Sequence, residues 1–449
     1  MAHPDTIVAA ATPPGRGGIG IVRLSGSKTP EIAAVILGEL PVARRATLAR
    51  FADRNRETID VGLALFFPAP HSYTGEHMLE LQGHGGPLVI EALIVRIEEL
   101  GARRALPGEF TQRAFLNDKL DLAQAEAICD LIDAGSSEAA RAAMRSLQGE
   151  FSAMVHGLTE AVIELRTHVE AAIDFSDEDI DPLADRQMQE RLNSVLQHFA
   201  AIEQSARQGR LLREGMTVVL AGAPNAGKSS LLNRLAGYDA AIVTPHPGTT
   251  RDVLREHIHI DGMPLHVLDT AGLRASDNAA EEEGIRRAHA EMSRADRVLF
   301  VIDAAEDAAA DAYARARPQL PQGIPVTLVF NKSDLARGIP LDDTVSGPPR
   351  IALSALTGVG LEMLRAHLKA CMGYRSVDSG TVSARQRHLD ALTRARRHVE
   401  QACALAERHE AELVAQELRD SQQCLCEITG EFTAEDLLGR IFASFCVGK

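Results

Sequence analysis

The chain has 449 residues, with 47 Lys and Arg against 62 Asp and Glu, a formal net charge of −15. That length exceeds one typical domain and implies about two to four. A content of 45% hydrophobic and 24% charged residues suits packed cores and excludes intrinsic disorder, collagen and a disulfide scaffold, while the acid excess excludes a nonspecific nucleic-acid coat, which needs clustered Lys and Arg.

The N-terminal part, to about residue 116, reads as α+β. Residues 6–10 (TIVAA), 19–23 (IGIVR) and 62–67 (GLALFF) have strand character, residues 31–37 read as a short helix and 87–100 as a longer one. His84, within Gly-His-Gly-Gly, reads as part of a turn rather than as a general base.

No proline occurs between Pro107 and Pro182, and none after Pro349, which marks two helical stretches. In the first, Ile128, Leu131 and Ile132, then Val162, Leu165 and Val169, recur at three- and four-residue spacing. A further helix is expected from about 187 to 213, carrying Leu192, Val195, Leu196, Phe199 and Ile202. The acidic group Asp174, Asp177, Glu178, Asp179 and Asp181 lacks the glycine and spacing of a calcium loop and reads as a solvated bend. Residues 385–449 have the same helical character.

Between these stretches, short β-branched runs alternate with turns and helices. Residues 217–221 (TVVLA), 265–268 (LHVL), 297–302 (RVLFVI) and 325–330 (PVTLVF) read as buried parallel strands, so an α/β domain is expected to be inserted into a helical one.

The first of these strands leads into Gly222-Ala-Pro-Asn225-Ala226-Gly227-Lys228-Ser229-Ser230, which matches GxxxxGK[ST]. In such a loop backbone N–H groups wrap phosphates, the lysine reaches the β and γ oxygens, and the Ser229 hydroxyl ligates Mg²⁺. Downstream come Gly248-Thr249-Thr250, a switch threonine; Asp269-Thr270-Ala271-Gly272, a carboxylate near Mg²⁺ and an amide near the γ-phosphate; Asn331-Lys332-Ser333-Asp334, a guanine-reading NKxD motif; and Ser354-Ala355-Leu356, a backbone contact to the guanine oxygen. The ordered set defines a GTP site. Leu273 stands where Ras-like enzymes place a water-orienting glutamine, so hydrolysis needs another polar group and another source of positive charge; the run Glu281-Glu282-Glu283 offers the first or is a solvated helix start.

The six cysteines are scattered without a CxxC pair and fit reduced thiols. No apolar run nears about 18 residues and the first residues lack a signal-peptide pattern, so a cytoplasmic protein without membrane association is expected.

Residues 9–18 (AAATPPGRGG), 81–87 (LQGHGGP), 107–110 (PGEF), 113–122 (RAFLNDKLDL), 438–442 (LGRIF) and 445–449 (FCVGK) closely resemble the MnmE (TrmE) family of tRNA-modification GTPases, within the TrmE/Era-like superfamily, over essentially the whole chain. The resemblance implies an α+β multidomain fold: an N-terminal α+β folate-binding and dimerisation domain (1–116), a discontinuous helical domain (117–215 and 374–449) and an inserted P-loop α/β G domain (216–373). It implies a homodimer that works with the FAD-dependent protein MnmG, in a heterotetramer or larger complex, to place an aminomethyl or carboxymethylaminomethyl group on the wobble uridine of certain tRNAs, with a tetrahydrofolate derivative as one-carbon donor.

By the same resemblance, K⁺ is held against the nucleotide by Asn225 and by Thr244, His246 and Thr249 of the loop Thr244-Pro245-His246-Pro247-Gly248, and Mg²⁺ by Ser229 and Thr250. Glu281 falls at the water-positioning glutamate. Arg23, Glu80, Lys119 and Lys449 match positions around the pterin and its tail, where a carboxylate suits ring N–H groups and cations suit the glutamate tail. Cys446 is placed near that site, as a thiol for uridine chemistry or as a buried structural residue. The sequence shows no GxxG-loop RNA module and no lipid-binding patch, which sets aside a ribosome-assembly GTPase and a dynamin-like membrane remodeller.

Overall fold

The computed structural model describes residues 5–174, 186–238, 255–260, 263–269, 295–307, 310–320, 323–336, 347–371, 381–431, 435–443, 445, 446 and 448. The chain divides into two compact units, Met1–Cys129 with Leu147–Leu196 and Ala391–Lys449, and Asp130–Ser146 with Gln197–Asp390.

The first unit opens with a six-stranded sheet of β1 (Ile7–Ala10), β2 (Gly17–Ser25), β3 (Thr47–Ala52), β4 (Thr58–Phe67), β5 (Met78–Gly85) and β6 (Arg103–Arg104), in the order β3-β4-β5-β2-β1-β6. All neighbours pair antiparallel except β1 with β6. Alternation fixes the register: Val22 and Leu24 of β2 and Leu79 and Leu81 of β5 are fully buried, on a core shared with Ile32 and Ile36 of α1 (Thr29–Leu37) and Leu93 and Ile97 of α2 (Pro87–Glu99). Burying each such side chain contributes about 1.5–3 kcal/mol. Their neighbours Ile21, Arg23, Glu80 and Gln82 are only partly buried, on the opposite face of the sheet.

The sequence pattern anticipates β1, β2, β4, α1 and α2 but not β3 or β5. The expected turn at His84 is corrected: His84 lies in β5, its backbone N–H and ring Nδ1 both bonded to Asp60, at 2.7 and 2.8 Å. Sequence reasoning reads Gly83-His84-Gly85-Gly86 as loop chemistry, yet the strand needs small residues there, since a Cβ on Gly85 would stand 2.7 Å from the carbonyl oxygens of Gly17 and Ile19.

Helices α3 (Glu109–Leu116), α4 (Leu122–Ile132), α5 (Ser137–Leu147), α6 (Glu150–Asp174) and α7 (Arg186–Glu214) follow, the last close to its expected span. At the C-terminal end come α11 (Gln386–Ala406), α12 (Ala411–Thr429) and α13 (Glu435–Ala443). In the first unit α6 packs along α12, and Phe115, Leu122, Phe442 and Phe445 form a small aromatic core that seats the C-terminal segment. Of the acidic group at the end of α6, residues 177–181 lie outside the described residues.

The second unit carries β7 (Met216–Gly222), α8 (Lys228–Tyr238), β8 (Arg255–Ile260), β9 (Met263–Asp269), β10 (Arg297–Asp303), α9 (Asp311–Ala316), β11 (Val326–Asn331), β12 (Arg350–Ala352) and α10 (Leu361–Cys371). Its sheet has the order β12-β11-β10-β7-β9-β8, parallel except for the edge strand β8. Val218 and Leu220 of β7 face one apolar cluster and Val219 and Ala221 the other, so this sheet is covered on both faces, as its continuous apolar strands require. Among the described residues no helix is long and apolar enough to cross a membrane.

Candidate functional site

Three loops leave the carboxyl ends of parallel strands of the second sheet, the position where α/β folds bind ligands. The first follows β7. Asn225 adopts φ 63°, Gly227 adopts φ 92°, and Lys228 opens α8 with its Nζ 2.9 Å from both the Gly222 and the Ala223 carbonyl oxygens. Lys228 is thereby folded over the loop it belongs to, and only 8% exposed. Ser229 and Ser230 are exposed at the start of α8, where the helix N-terminus favours an anion such as a phosphate, and the Ser229 hydroxyl suits a Mg²⁺ ion carried by that phosphate. Gly227 admits no side chain: a Cβ there would stand 2.1 Å from Asn331 Nδ2.

Asn331, at the end of β11 and 2% exposed, ties the loops together. Its Nδ2 donates to the Ala226 carbonyl and its Oδ1 accepts from the Ala355 N–H, each at 2.9 Å. The first residue of the NKSD motif therefore clamps the phosphate loop to the Ser354-Ala355-Leu356 loop after β12. Lys332, at φ 60°, pairs with Asp303 at 2.5 Å; the Asp303 carboxyl is pushed up by burial but held below its usual range by the Lys332 hydrogen bond and two backbone N–H groups. Ser333 N–H donates to the Leu353 carbonyl, Ser354 Oγ accepts from the Thr357 N–H, and Asp334 and Leu356 are exposed beside them. Asp269 ends β9, paired in register with Leu220 of β7. Thr244, Pro245, His246, Pro247, Gly248, Thr249, Thr250, Thr270, Ala271, Gly272 and Glu281 lie outside the described residues.

The first unit assembles a second constellation. Arg23 of β2 and Glu80 of β5 are register partners, and the Arg23 Nε and Nη2 both donate to Glu80 Oε1, at 3.0 and 2.8 Å. Among the described residues nothing bonds Glu80 Oε2, an acceptor suited to ligand N–H groups. Arg23 Nη1 donates to the Gly448 carbonyl at 3.2 Å, which fastens the C-terminal tail to the sheet. The guanidinium lies 5.7 Å from the Tyr73 ring centre and 5.9 Å from that of Phe110. Burial pushes the Tyr73 hydroxyl up, against the opposing effects of Thr111 and Arg23.

Tyr73, and Phe110 as a ring beside Arg23, are contacts the sequence reading does not assign; the PGEF motif was the available signal for Phe110, and none marks Tyr73. Lys119 is exposed, two residues after Asn117, whose Nδ2 donates to the Thr74 carbonyl at 2.7 Å next to Tyr73. Cys446 is exposed while its carbonyl accepts from the Gly108 N–H at 3.2 Å, which corrects the alternative of a buried structural thiol. Lys449 lies outside the described residues.

A buried ion network underlies this constellation. Arg113, 1% exposed, donates to Asp5, Glu76 and Glu109, and Glu76 in turn accepts from Ser25, whose hydroxyl meets Thr74 at 2.7 Å. The network anchors the segment that carries Tyr73.

Among solved structures, a GTP-binding protein of Sulfolobus solfataricus in complex with GDP is 19% identical over 60% of this chain and 79% of its own, with a TM-score of 0.27. A variant of Aquifex aeolicus Era is 25% identical over 41% of this chain and 66% of its own (TM-score 0.27), and the G domain of the T. maritima FeoB iron transporter is 25% identical over 35% and 98% (TM-score 0.26). Likeness at these scores carries no functional weight. Family models are decisive: the MnmE helical domain matches residues 122–446 and the GTP-binding protein TrmE N-terminus matches residues 6–119. With both parts matched and the phosphate and guanine loops joined through Asn331, the chain belongs to the MnmE/TrmE family and is a GTP hydrolase of tRNA modification.

Proposed function

We propose that this chain is a potassium-activated GTPase that acts in the cytoplasm as a homodimer with the FAD-dependent partner MnmG, modifying the wobble uridine of certain tRNAs at C5 with a tetrahydrofolate one-carbon donor. Its domains are 1–116 for folate and dimerisation, 117–215 with 374–449 as the helical domain, and 216–373 as the G domain. The observation that carries the folate assignment is the Arg23–Glu80 pair with the tail carbonyl of Gly448 on the same guanidinium. Glu80 Oε2 accepts pterin N–H groups, Arg23 orients the carboxylate and holds the tail, and Lys119 and Lys449 meet the negative glutamate tail. A bound tetrahydrofolate derivative supplies the one-carbon unit. Cys446, exposed on that tail, is the thiol available to uridine chemistry.

In the G domain, Lys228 faces the β and γ phosphate oxygens, Ser229 and Thr250 hold Mg²⁺, and Asp334 reads guanine. Asn225, exposed on the phosphate loop at φ 63°, fits as one donor to K⁺, with Thr244, His246 and Thr249 completing the set. The cation supplies the positive charge that an arginine finger supplies elsewhere, and Glu281 positions the attacking water. Hydrolysis, coupled to pairing of two G domains, then governs access to the folate and MnmG site.

GTP turnover measured in K⁺ and in Na⁺ tests the metal role: turnover is expected to be much faster in K⁺ and to collapse in Glu281→Ala, and equal rates in the two salts overturn it. Nucleoside mass spectrometry of tRNA from cells lacking the gene tests the substrate. Loss of the modified wobble uridine is expected; unchanged nucleosides overturn the assignment.

A further inference from the structure

The chain enters the inserted nucleotide region through residues 213–216 and returns through 381–385, and both passages are fastened to one carboxylate. Asp130, near the end of α4, has a side chain only 6% exposed. Its Oδ1 accepts from Arg213 Nε and Arg385 Nη2, each at 2.8 Å, and its Oδ2 accepts from Ser383 Oγ at 2.7 Å. Arg213 is in the last turn of α7, three residues before β7 begins; Ser383 and Arg385 directly precede α11.

The return segment is bound along its length. Arg145 Nε donates to the Thr381 carbonyl at 2.8 Å, Ser383 N–H donates to the Ala142 carbonyl at 3.2 Å, and Ser146 Oγ donates to the Ser383 carbonyl at 3.0 Å. It also touches α7 backbone to backbone, since a Cβ on Gly209 would stand 1.7 Å from the Val382 oxygen. A cavity of about 270 Å³ adjoins the cluster, walled by Asp130, Arg213, Ser383, Glu214 and His266.

The link to the nucleotide runs through β9. His266, at its middle, bonds the Glu214 carbonyl through Nε2 at 2.9 Å, and Asp269 ends the same strand, in register with Leu220 of β7. Rigid secondary elements carry coupling between sites, and β9 is such an element between Asp269 and the α7 end. No GTP-binding motif and no family assignment above uses Asp130, and its bonded partners Arg213, Ser383 and Arg385 belong to none of those motifs.

We propose that Asp130 is a positioning residue of the modification reaction: by holding the entering and returning chain on one carboxylate, it fixes the nucleotide region on the helices that carry it, so that GTP-driven movement reaches the modification site. Without its charge the Arg213 and Arg385 guanidiniums, which share one oxygen, lose their common anion, and the junction loosens. The proposal rests on GTP hydrolysis in tRNA modification and is independent of the folate, potassium and partner assignments.

Full-length Asp130→Asn and Asp130→Glu test it through three readouts: GTP turnover, thermal melting, and mass spectrometry of tRNA nucleosides from cells carrying each variant at the native locus. Asp130→Asn is expected to keep GTP turnover within about twofold while the modified nucleoside falls at least tenfold, with substantial recovery in Asp130→Glu. Wild-type nucleoside levels in Asp130→Asn overturn the proposal, as does parallel loss of turnover and modification in proportion to the folded fraction, which marks a merely structural residue. A second readout does not involve tRNA: the spin-label distance between the exposed positions Arg141 and Glu362, in a background without other accessible thiols. A narrow distribution is expected in the wild type and a broadened one in Asp130→Asn. Identical distributions overturn the latch, whereas a wild-type strain with no modified nucleoside refutes the activity and leaves the latch to this measurement.

Discussion

The nucleotide region and the Arg23–Glu80 region are assembled on opposite plans. In the nucleotide region Lys228 bonds carbonyls five and six residues away, and one contiguous loop carries most of the phosphate chemistry. In the N-terminal region Arg23 bonds partners 57 and 425 residues away, so its site exists only once a sheet has formed and the far end of the chain has docked. A local loop tolerates distant change but no change of its own backbone. A site built from remote strands fails by losing any one anchor. Substitutions should therefore separate the two regions cleanly.

The largest separation is expected from Gly227→Val. The position has φ 92° and a Cβ 2.1 Å from Asn331 Nδ2, so the side chain displaces the clamp between the phosphate and guanine loops. GTP turnover should fall by about 10²–10³, the scale of losing preorganised donors at an anionic transition state. Binding of tetrahydrofolate, followed by calorimetry, should be unchanged. Weakened folate binding in this variant would break the separation of the regions.

Glu80→Gln is the converse. It keeps the size of the side chain but removes the charge that meets Arg23 Nε and Nη2, interactions worth about 1.5–3 kcal/mol. Tetrahydrofolate affinity should fall about 10–100-fold, with GTP turnover within twofold of wild type. A matching loss in both assays would show that the regions are not independent.

The same contrast explains what was legible in the sequence. Residues 222–230, 331–334 and 354–356 announce their chemistry because backbone geometry is encoded by contiguous Gly, Lys, Ser and Asn, and the apolar runs of β7, β10 and β11 mark strands buried on both faces. In the N-terminal region the alternation of β2 was readable, but β5 was hidden by Gly83 and Gly85, which serve close strand approach rather than a turn. Arg23 and Glu80 entered only through family resemblance, since no local pattern reports a pair across two strands. Tyr73 and the Gly448 carbonyl are tertiary facts. Asp130 escaped for the same reason, its three donors lying 83 to 255 residues away.

Acid should separate the regions next. Burial pushes the Glu109 carboxyl up, but hydrogen bonds from Arg103, the Leu106 N–H and Arg113 overcome it and hold it below its usual range; Asp5 is likewise lowered through Arg103 and Arg113. Depressed folded values mean that stabilisation is complete above the unfolded carboxyl range, near pH 4, and is lost as pH falls through the folded values. Melting followed from pH 7 to pH 3 should show the wild type losing stability below about pH 4.5 and Glu109→Gln, already less stable, losing less over the same interval. An equal acid slope in both proteins would show that the network adds nothing to the N-terminal region.

The smallest effect concerns thiols, and it probes the docked tail directly. Cys446 is exposed, whereas Cys426 is buried and its thiol is pushed up to about 12 by burial and by the neighbouring Glu431 carboxylate, to which Sγ lies at 3.4 Å. Only the thiolate reacts with iodoacetamide, so at pH 7.5 Cys426 presents a vanishing reactive fraction as well as a blocked approach. Peptide mapping after brief labelling of the native chain should find Cys446 carboxamidomethylated and Cys426 untouched, with GTP turnover unchanged by the modification. In Arg23→Ala the Nη1 bond to the Gly448 carbonyl is gone, so the tail should sample more open positions and Cys446 should label about twofold faster, with Cys426 still protected. A Cys446 rate indifferent to Arg23 would mean that the Gly108 and aromatic contacts hold the tail alone, and that the long-range plan of the N-terminal region has one anchor fewer than its geometry displays.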